Sequence, residues 1–217
     1  MKRILYLFSA FMLMVVTACA KKVKLTIDGI ASPSQTSLYM IINEDIENAQ
    51  ALPINDGRFS VTVEVEPDAF VRLHDYKEWP ERGVFVLIPD SRHIDVDWRD
   101  GSIKGSPMSN RLREAINEAR KHSPEGFHID VFSDNPEAWK EARESERSMR
   151  EQMLQEQIKS IEKVIKSNND NIIPAWIVYC YQSLLEGPYR QIIDKNKKHK
   201  WAKHPIIKKS GVLNKKE

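Results

Sequence analysis

The apolar residues of this 217-residue chain change their period once, at Ser106-Pro107, and that switch confines the fold to a β region followed by a helical one. From position 23 to about 104 the pattern is short alternating or apolar runs separated by turn residues, which predicts an antiparallel β domain over 23–105. Val23, Leu25 and Ile27 alternate with polar neighbours, and Asp28-Gly29 reads as the turn that ends this first strand. Residues 37–42 form a second, more apolar run. Asp56-Gly57 reads as a hairpin, followed by Phe59, Val61, Val63 and Val65 on one face and Ser60, Thr62, Glu64 and Glu66 on the other. Pro67 closes that strand. Runs over 69–73, 83–88 and 93–98 continue the series to six or seven strands, enough for a small sandwich.

Beyond the switch, the expectation is a helical domain over 106–210. Ser106 reads as an N-cap, with Pro107 in the first turn of a helix reaching about His122. A loop carrying Phe127, Ile129, Val131 and Phe132 leads to Asp134-Asn135-Pro136, which starts a long helix. Trp139, Ala142, Met149, Met153, Ile158, Ile161 and Ile165 fall there at helical spacing, and Lys140 with Glu144 and Glu146 with Arg150 are spaced as i,i+4 ion pairs. After a break at 168–171, the nearly all-apolar run 172–185 predicts a buried helix ending at Gly187-Pro188. A final helix begins near Tyr189, and 211–217 is a basic tail. The fold class is therefore α+β: an N-terminal antiparallel β-sandwich followed by a C-terminal α-helical region.

The first eighteen residues belong to neither part. Lys2 and Arg3 precede a run over 4–16 that is apolar except for Ser9, the layout of a secretory signal. The run is too short to span a bilayer core, which needs about 20 apolar residues. Val16-Thr17-Ala18-Cys19 resembles the lipobox of bacterial lipoproteins, and the resemblance implies that 1–18 is a signal peptide, that Cys19 becomes the lipid-modified N-terminus, and that 19–22 is a short tether. The alternative is an ordinary secreted protein with a cysteine near its cleavage site. With Cys19 acylated, membrane lipid is a partner through that residue, and Cys180 is the one thiol left, so no intramolecular disulfide forms. Ala20 after the lipidated cysteine favours the outer membrane, and Lys21 and Lys22 favour a periplasmic orientation over surface export.

The chemistry on offer is sparse. His93, Asp95 and Asp97 share one face of a strand and are metal-ligand types; a solvated face is the simpler reading. Cys180, with His199 and His204 later in the chain, invites a nucleophile reading, but Trp176, Ile177, Val178, Tyr179, Tyr181 and Leu184 around it suggest a small buried hydrophobe. The nine lysines between 195 and 216 read as a solvated terminus in preference to a lipid contact. A charge of +2 on 33 basic and 31 acidic residues gives no field for nucleic acid. No phosphate-binding glycine loop, Gly-x-Ser-x-Gly, His-Glu-x-x-His or Cys-x-x-Cys occurs, and no cofactor is expected.

Leu25-Thr26-Ile27-Asp28-Gly29, Asn55-Asp56-Gly57-Arg58-Phe59, Phe85-Val86-Leu87-Ile88-Pro89-Asp90 and Ile103-Lys104-Gly105-Ser106 with Asn110 carry a family resemblance. Over 23–110 the chain resembles the N-terminal domain of unknown function of TlpA- or AhpC-type thioredoxin-like envelope lipoproteins of Bacteroides-group bacteria. The helices that follow resemble the extension preceding the thioredoxin domain in such proteins. Longer members continue into that domain and its Trp-Cys-x-x-Cys site; this chain ends at Glu217, so the resemblance implies no redox activity of its own and no functional residues. The expectation is a membrane-anchored, non-catalytic binding or interaction module. The alternative is an accessory to a separately encoded thioredoxin-like disulfide-exchange protein.

Overall fold

The computed structural model describes residues 22–75, 85–130, 132–185 and 190–210. The expected signal segment 1–18, Cys19, Gly83, Val131, Gly187-Pro188, Tyr189 and the expected tail over 211–217 lie outside the described residues. Contacts divide the chain into two compact units, one running to Ser109 and the other starting at Asn110.

Among the described residues the first unit holds eight strands: β1 (Val23–Ile30), β2 (Leu38–Ile42), β3 (Gln50–Leu52), β4 (Arg58–Val65), β5 (Val71–His74), β6 (Phe85–Leu87), β7 (His93–Asp97) and β8 (Ser102–Lys104). They form two four-stranded sheets, ordered β4-β1-β7-β8 and β3-β2-β5-β6. Leu25, Ile27, Phe59, Val61, Ile94 and Val96 of the first sheet share one apolar cluster with Leu38, Met40, Val71, Leu73 and Leu87 of the second. Each such buried aliphatic or aromatic side chain contributes roughly 1.5–3 kcal/mol. The two sheets are thus the halves of a sandwich, as the alternation predicts.

Three features depart from the expected pattern. Strand β1 does not stop at Asp28-Gly29 but runs through it to Ile30. The glycine is required there for another reason: a Cβ on Gly29 would lie 2.0 Å from Cζ of Phe59, the residue opposite it on β4. The sheet is also not wholly antiparallel, because β1 pairs parallel with β7 while every other described pair is antiparallel. Finally, the second sheet is buried on both faces. Ile41, Arg72, His74 and Val86 alternate with the core residues and are buried too, and the Arg72 guanidinium meets the Glu44 carboxylate at 2.7 Å with both side chains out of water.

Helix α1 (Pro107–Arg120) begins where the period changes. Ser106 Oγ accepts from the Ser109 amide at 3.1 Å and Asp90 Oδ2 from the Met108 amide at 2.8 Å, which satisfies two of the otherwise unpaired donors of the first turn. In the second unit, α2 (Pro136–Ser167) is capped by Asn135, whose side chain accepts from the Glu137 amide at 2.9 Å. At about 1.5 Å per residue its 32 residues reach about 48 Å. Gln157, Ile158, Ile161, Val164 and Ile165 are its buried residues, whereas Trp139 and Met149, expected on the packed stripe, are 42% and 45% exposed. Of the two expected ion pairs on this helix, Arg150–Glu146 forms at 2.9 Å and Lys140–Glu144 does not.

Helix α3 (Ile173–Cys180) buries residues 173–178 in succession but ends earlier than its apolar run predicts, with Tyr181 as C-cap. Helix α4 (Arg190–Asn196), a 3-10 turn at Lys200–Lys203 and α5 (Pro205–Ser210) follow among the described residues. Trp201, Ile206 and Ile207 are buried, and both the turn and α5 contact α3. The lysine-rich segment is therefore folded as far as position 210, and not a frayed terminus from Lys195 onward. Among the described residues no helix is long and apolar enough to cross a membrane.

Candidate functional site

The outward face of the β4-β1-β7-β8 sheet gathers the polar residues that alternation excludes from the core. Register sets them in rows. Ser60, Asp28, Asp95 and Lys104 stand side by side across all four strands; one row away, Arg58, Ile30, Asp97 and Ser102 do the same. Asp28 and Asp95 are thus direct neighbours in the parallel pair, although 66 intervening residues separate them in the chain.

His93, two residues before Asp95 on β7, completes a trio. Its Nε2 lies 2.9 Å from Asp28 Oδ2 and 3.4 Å from Asp95 Oδ1. One ligand atom from each of Asp28, His93 and Asp95 falls within 4.8 Å of the others, and all three side chains are partly or largely exposed. Two like charges placed opposite each other destabilise a sheet. Here the imidazole lies within reach of both carboxylates, and Lys104 stands opposite Asp95 in the ladder. Chemically the trio presents two carboxylates and one imidazole, a donor set that fits a divalent cation completed by water or a polar ligand with several donors.

The structure sorts the three sequence candidates apart. His93 and Asp95 come together, with Asp28 as the third member. Asp97 is drawn away by Arg99: Oδ2 accepts from Nη2 at 2.6 Å, and Oδ1 accepts from both Nε and the backbone amide at 2.9 Å. Those hydrogen bonds hold the Asp97 carboxyl down at about 2, against an ordinary value near 3.8. The sequence does not point to Asp28, because Asp28-Gly29 carries the residue types of a turn. Extending the alternation of Lys24 and Thr26 by one step would have placed it on the outward face.

Asp28 and Asp95 also line a groove of about 650 Å³, whose walls include Pro53 and Asn55 from the β3–β4 connection, Arg58, Ser60 and Lys104. Carboxylates, a guanidinium, an ammonium, a hydroxyl and an amide all converge there. The floor is laid by β1, β4 and β7, so these groups, apart from the Asn55 amide, stand on paired strands.

Cys180 does not occupy the buried apolar position expected of it. It is the last residue of α3 and is exposed, because the helix ends just where the chain has finished burying residues 173–178. Of the two histidines considered with it, His204 is buried and its Nδ1 accepts from the Ile206 amide at 3.2 Å at the start of α5. That is a capping arrangement. No protein-family model, curated protein or solved structure matches the chain.

Proposed function

We propose that this chain is a lipid-anchored protein of the bacterial cell envelope that binds a polar partner on the outward face of the β4-β1-β7-β8 sheet and performs no covalent chemistry of its own. One observation carries the reading. Asp28 and Asp95 are held in register as neighbouring like charges, beside His93 and along a groove whose volume lies within the range of ligand sites. A surface serving only solubility gains nothing from that juxtaposition, since interspersed signs achieve the same end without repulsion. Asp28 and Asp95 line the groove among several other polar side chains, so the partner is one that offers hydrogen bonds and positive charge, a hydrated cation included.

The anchor reading rests on Lys2, Arg3, the apolar run over 4–16 and Val16-Thr17-Ala18-Cys19. Acylation of Cys19 holds the protein on a membrane, since each chain contributes about 0.8 kcal/mol per buried methylene, and Ala20 with Lys21 and Lys22 favours the periplasmic side of the outer membrane. The test places a photo-activated cross-linker at Ser60, in the groove, and at Glu141 on α2 as a control. Adducts formed in the intact envelope from Ser60 and lost in the D28N/D95N double variant support the reading, and mass spectrometry then identifies the partner, a separately encoded thioredoxin-like protein being one possible identity. Equal yields from both positions, or adducts indifferent to D28N/D95N, refute it. Incorporation of labelled palmitate that survives Cys19→Ala refutes the anchor.

A further inference from the structure

Between positions 195 and 209 the chain carries seven lysines and no carboxylate residue. All seven are exposed. Lys197 lies 3.8 Å from Asp194, and among the described residues the other six have no acidic partner within ion-pair distance. The contrast with α2 is sharp. There Lys159, Lys163 and Lys166 each meet a carboxylate, those of Glu156, Glu118 and Glu162, at 2.7, 3.0 and 2.8 Å.

This concentration of one sign is not a feature of a loose end. Trp201 is 1% exposed, Ala202, His204, Ile206 and Ile207 are buried, and the 3-10 turn and α5 both contact α3. The apolar residues thus anchor the backbone of a short segment whose charged side chains all remain in water. Lys195, Lys208 and Lys209 sit in the last turns of α4 and α5, where a helix dipole favours cations. Lys200 and Lys203 lie in a 3-10 turn of only four residues, whose dipole is correspondingly small, and Lys198, in the linker, has no such account.

We propose that the folded lysine-rich segment over 195–209 is a docking surface for the anionic headgroups of a phospholipid bilayer. The occupant follows from charge: a folded segment that carries seven exposed lysines and no carboxylate complements a surface of closely spaced phosphates. Lysines act as hydrated point charges and do not need the fixed bidentate geometry that an individual acidic protein site would select through arginine. Attraction to such a surface is worth about fivefold in affinity per lysine at low salt, and it decays over about 10 Å at 0.1 M ionic strength. The proposal goes beyond the ligand face assigned above and rests on neither that face nor acylation of Cys19.

The test uses a chain starting at Ala20, which retains every described residue and lacks the lipid, in sedimentation with vesicles of phosphatidylcholine alone or mixed with phosphatidylglycerol. Binding is expected only with phosphatidylglycerol. K198Q/K200Q/K203Q lowers it on the order of a hundredfold, whereas K159Q/K163Q/K166Q, which removes the same formal charge from α2, leaves it within a fewfold. Circular dichroism verifies that both triple variants are folded. Equal binding to both vesicle types, equal loss in the two triple variants, or binding that persists at about 1 M salt overturns the proposal. Displacement by millimolar inorganic phosphate at constant ionic strength also overturns it, because the segment would then recognise single phosphates and not a bilayer surface.

Discussion

Gly29→Ala is the most informative substitution in the first unit. A methyl group at this position of β1 would lie 2.0 Å from Cζ and 2.2 Å from Cε1 of Phe59, against an ordinary carbon–carbon contact of about 3.5–4.0 Å, so the ring must withdraw by about 1.5 Å. It has little room. The Trp98 ring stands edge-on at 5.9 Å from Phe59, and Trp98 in turn packs edge-on against Phe85 at 4.5 Å. Overpacking of this kind costs about 1–3 kcal/mol. Phe59→Leu alone should cost about 1–2 kcal/mol through lost burial, but it removes the ring atoms that clash. The double variant G29A/F59L is therefore expected to be more stable than the sum of the single effects by about 1–2 kcal/mol, within the range of coupling between touching residues. Because the chain has two units, a single melting temperature would mix them. Amide hydrogen exchange read on peptides of β1 and β4 isolates the first unit. A Gly29→Ala cost below about 0.5 kcal/mol, or additivity in the double variant, would refute the claim that Phe59 is what demands glycine at this position.

Three further outcomes can be checked on the same material. Glu44→Ala leaves the Arg72 guanidinium buried without its carboxylate and should destabilise the first unit by about 3–5 kcal/mol, while E44L/R72M recovers most of that loss in urea denaturation. Gly105→Ala forces a φ of +81° on a residue with a Cβ that would lie 2.5 Å from the His93 carbonyl oxygen; a loss of at least about 1–2 kcal/mol is expected, with loosened exchange protection across β7 and β8. Lys121 and Lys163 hold the Glu118 carboxyl at about 2, as Arg99 holds Asp97. Both values are depressed by folding, so these ion pairs contribute fully above pH 4.5 and their contribution fades as the pH falls toward 2. Carboxyl titration by NMR checks this, and ordinary midpoints near 4 for both groups would contradict it.

Local chemistry made part of this fold readable. In β4 the alternation of Phe59, Val61, Val63 and Val65 with Ser60, Thr62 and Glu64 specifies both strand and buried face, and Asn135-Pro136 specifies the start of α2. What was misread depended on distant partners. Asp28-Gly29 carries the local chemistry of a turn, yet its glycine answers to Phe59 across the sheet and its aspartate to Asp95 on a strand far along the chain. No local signal announces a parallel β1–β7 pair, so the trio of Asp28, His93 and Asp95 was only two-thirds visible, with Asp97 standing in the place of Asp28. Arg72 and His74 look like the polar positions of a half-exposed strand, but their sheet is buried on both faces. Along α2 the helical spacing continues past the part that is packed, so spacing alone does not reveal that the buried residues begin at Gln157. For Cys180 the burial of the preceding run was legible; the helix end was not, because Tyr181-Gln182-Ser183 contains neither glycine nor proline.

The parallel pairing of β1 with β7 also dictates when the first unit can be completed. Thr26 pairs with His93, closing a loop of roughly 65 residues, and such closures are slow because chain entropy must be lost before the contacts form. Strand β1 leaves the ribosome first and lies inside its sheet, between β4 and β7. Until β7 has followed it, one of its backbone edges has no neighbour. A nascent chain holding β1 through β6 therefore still lacks the half of this sheet that β7 and β8 supply. For the secreted protein proposed above, that leaves the sheet to close only once the whole unit has passed.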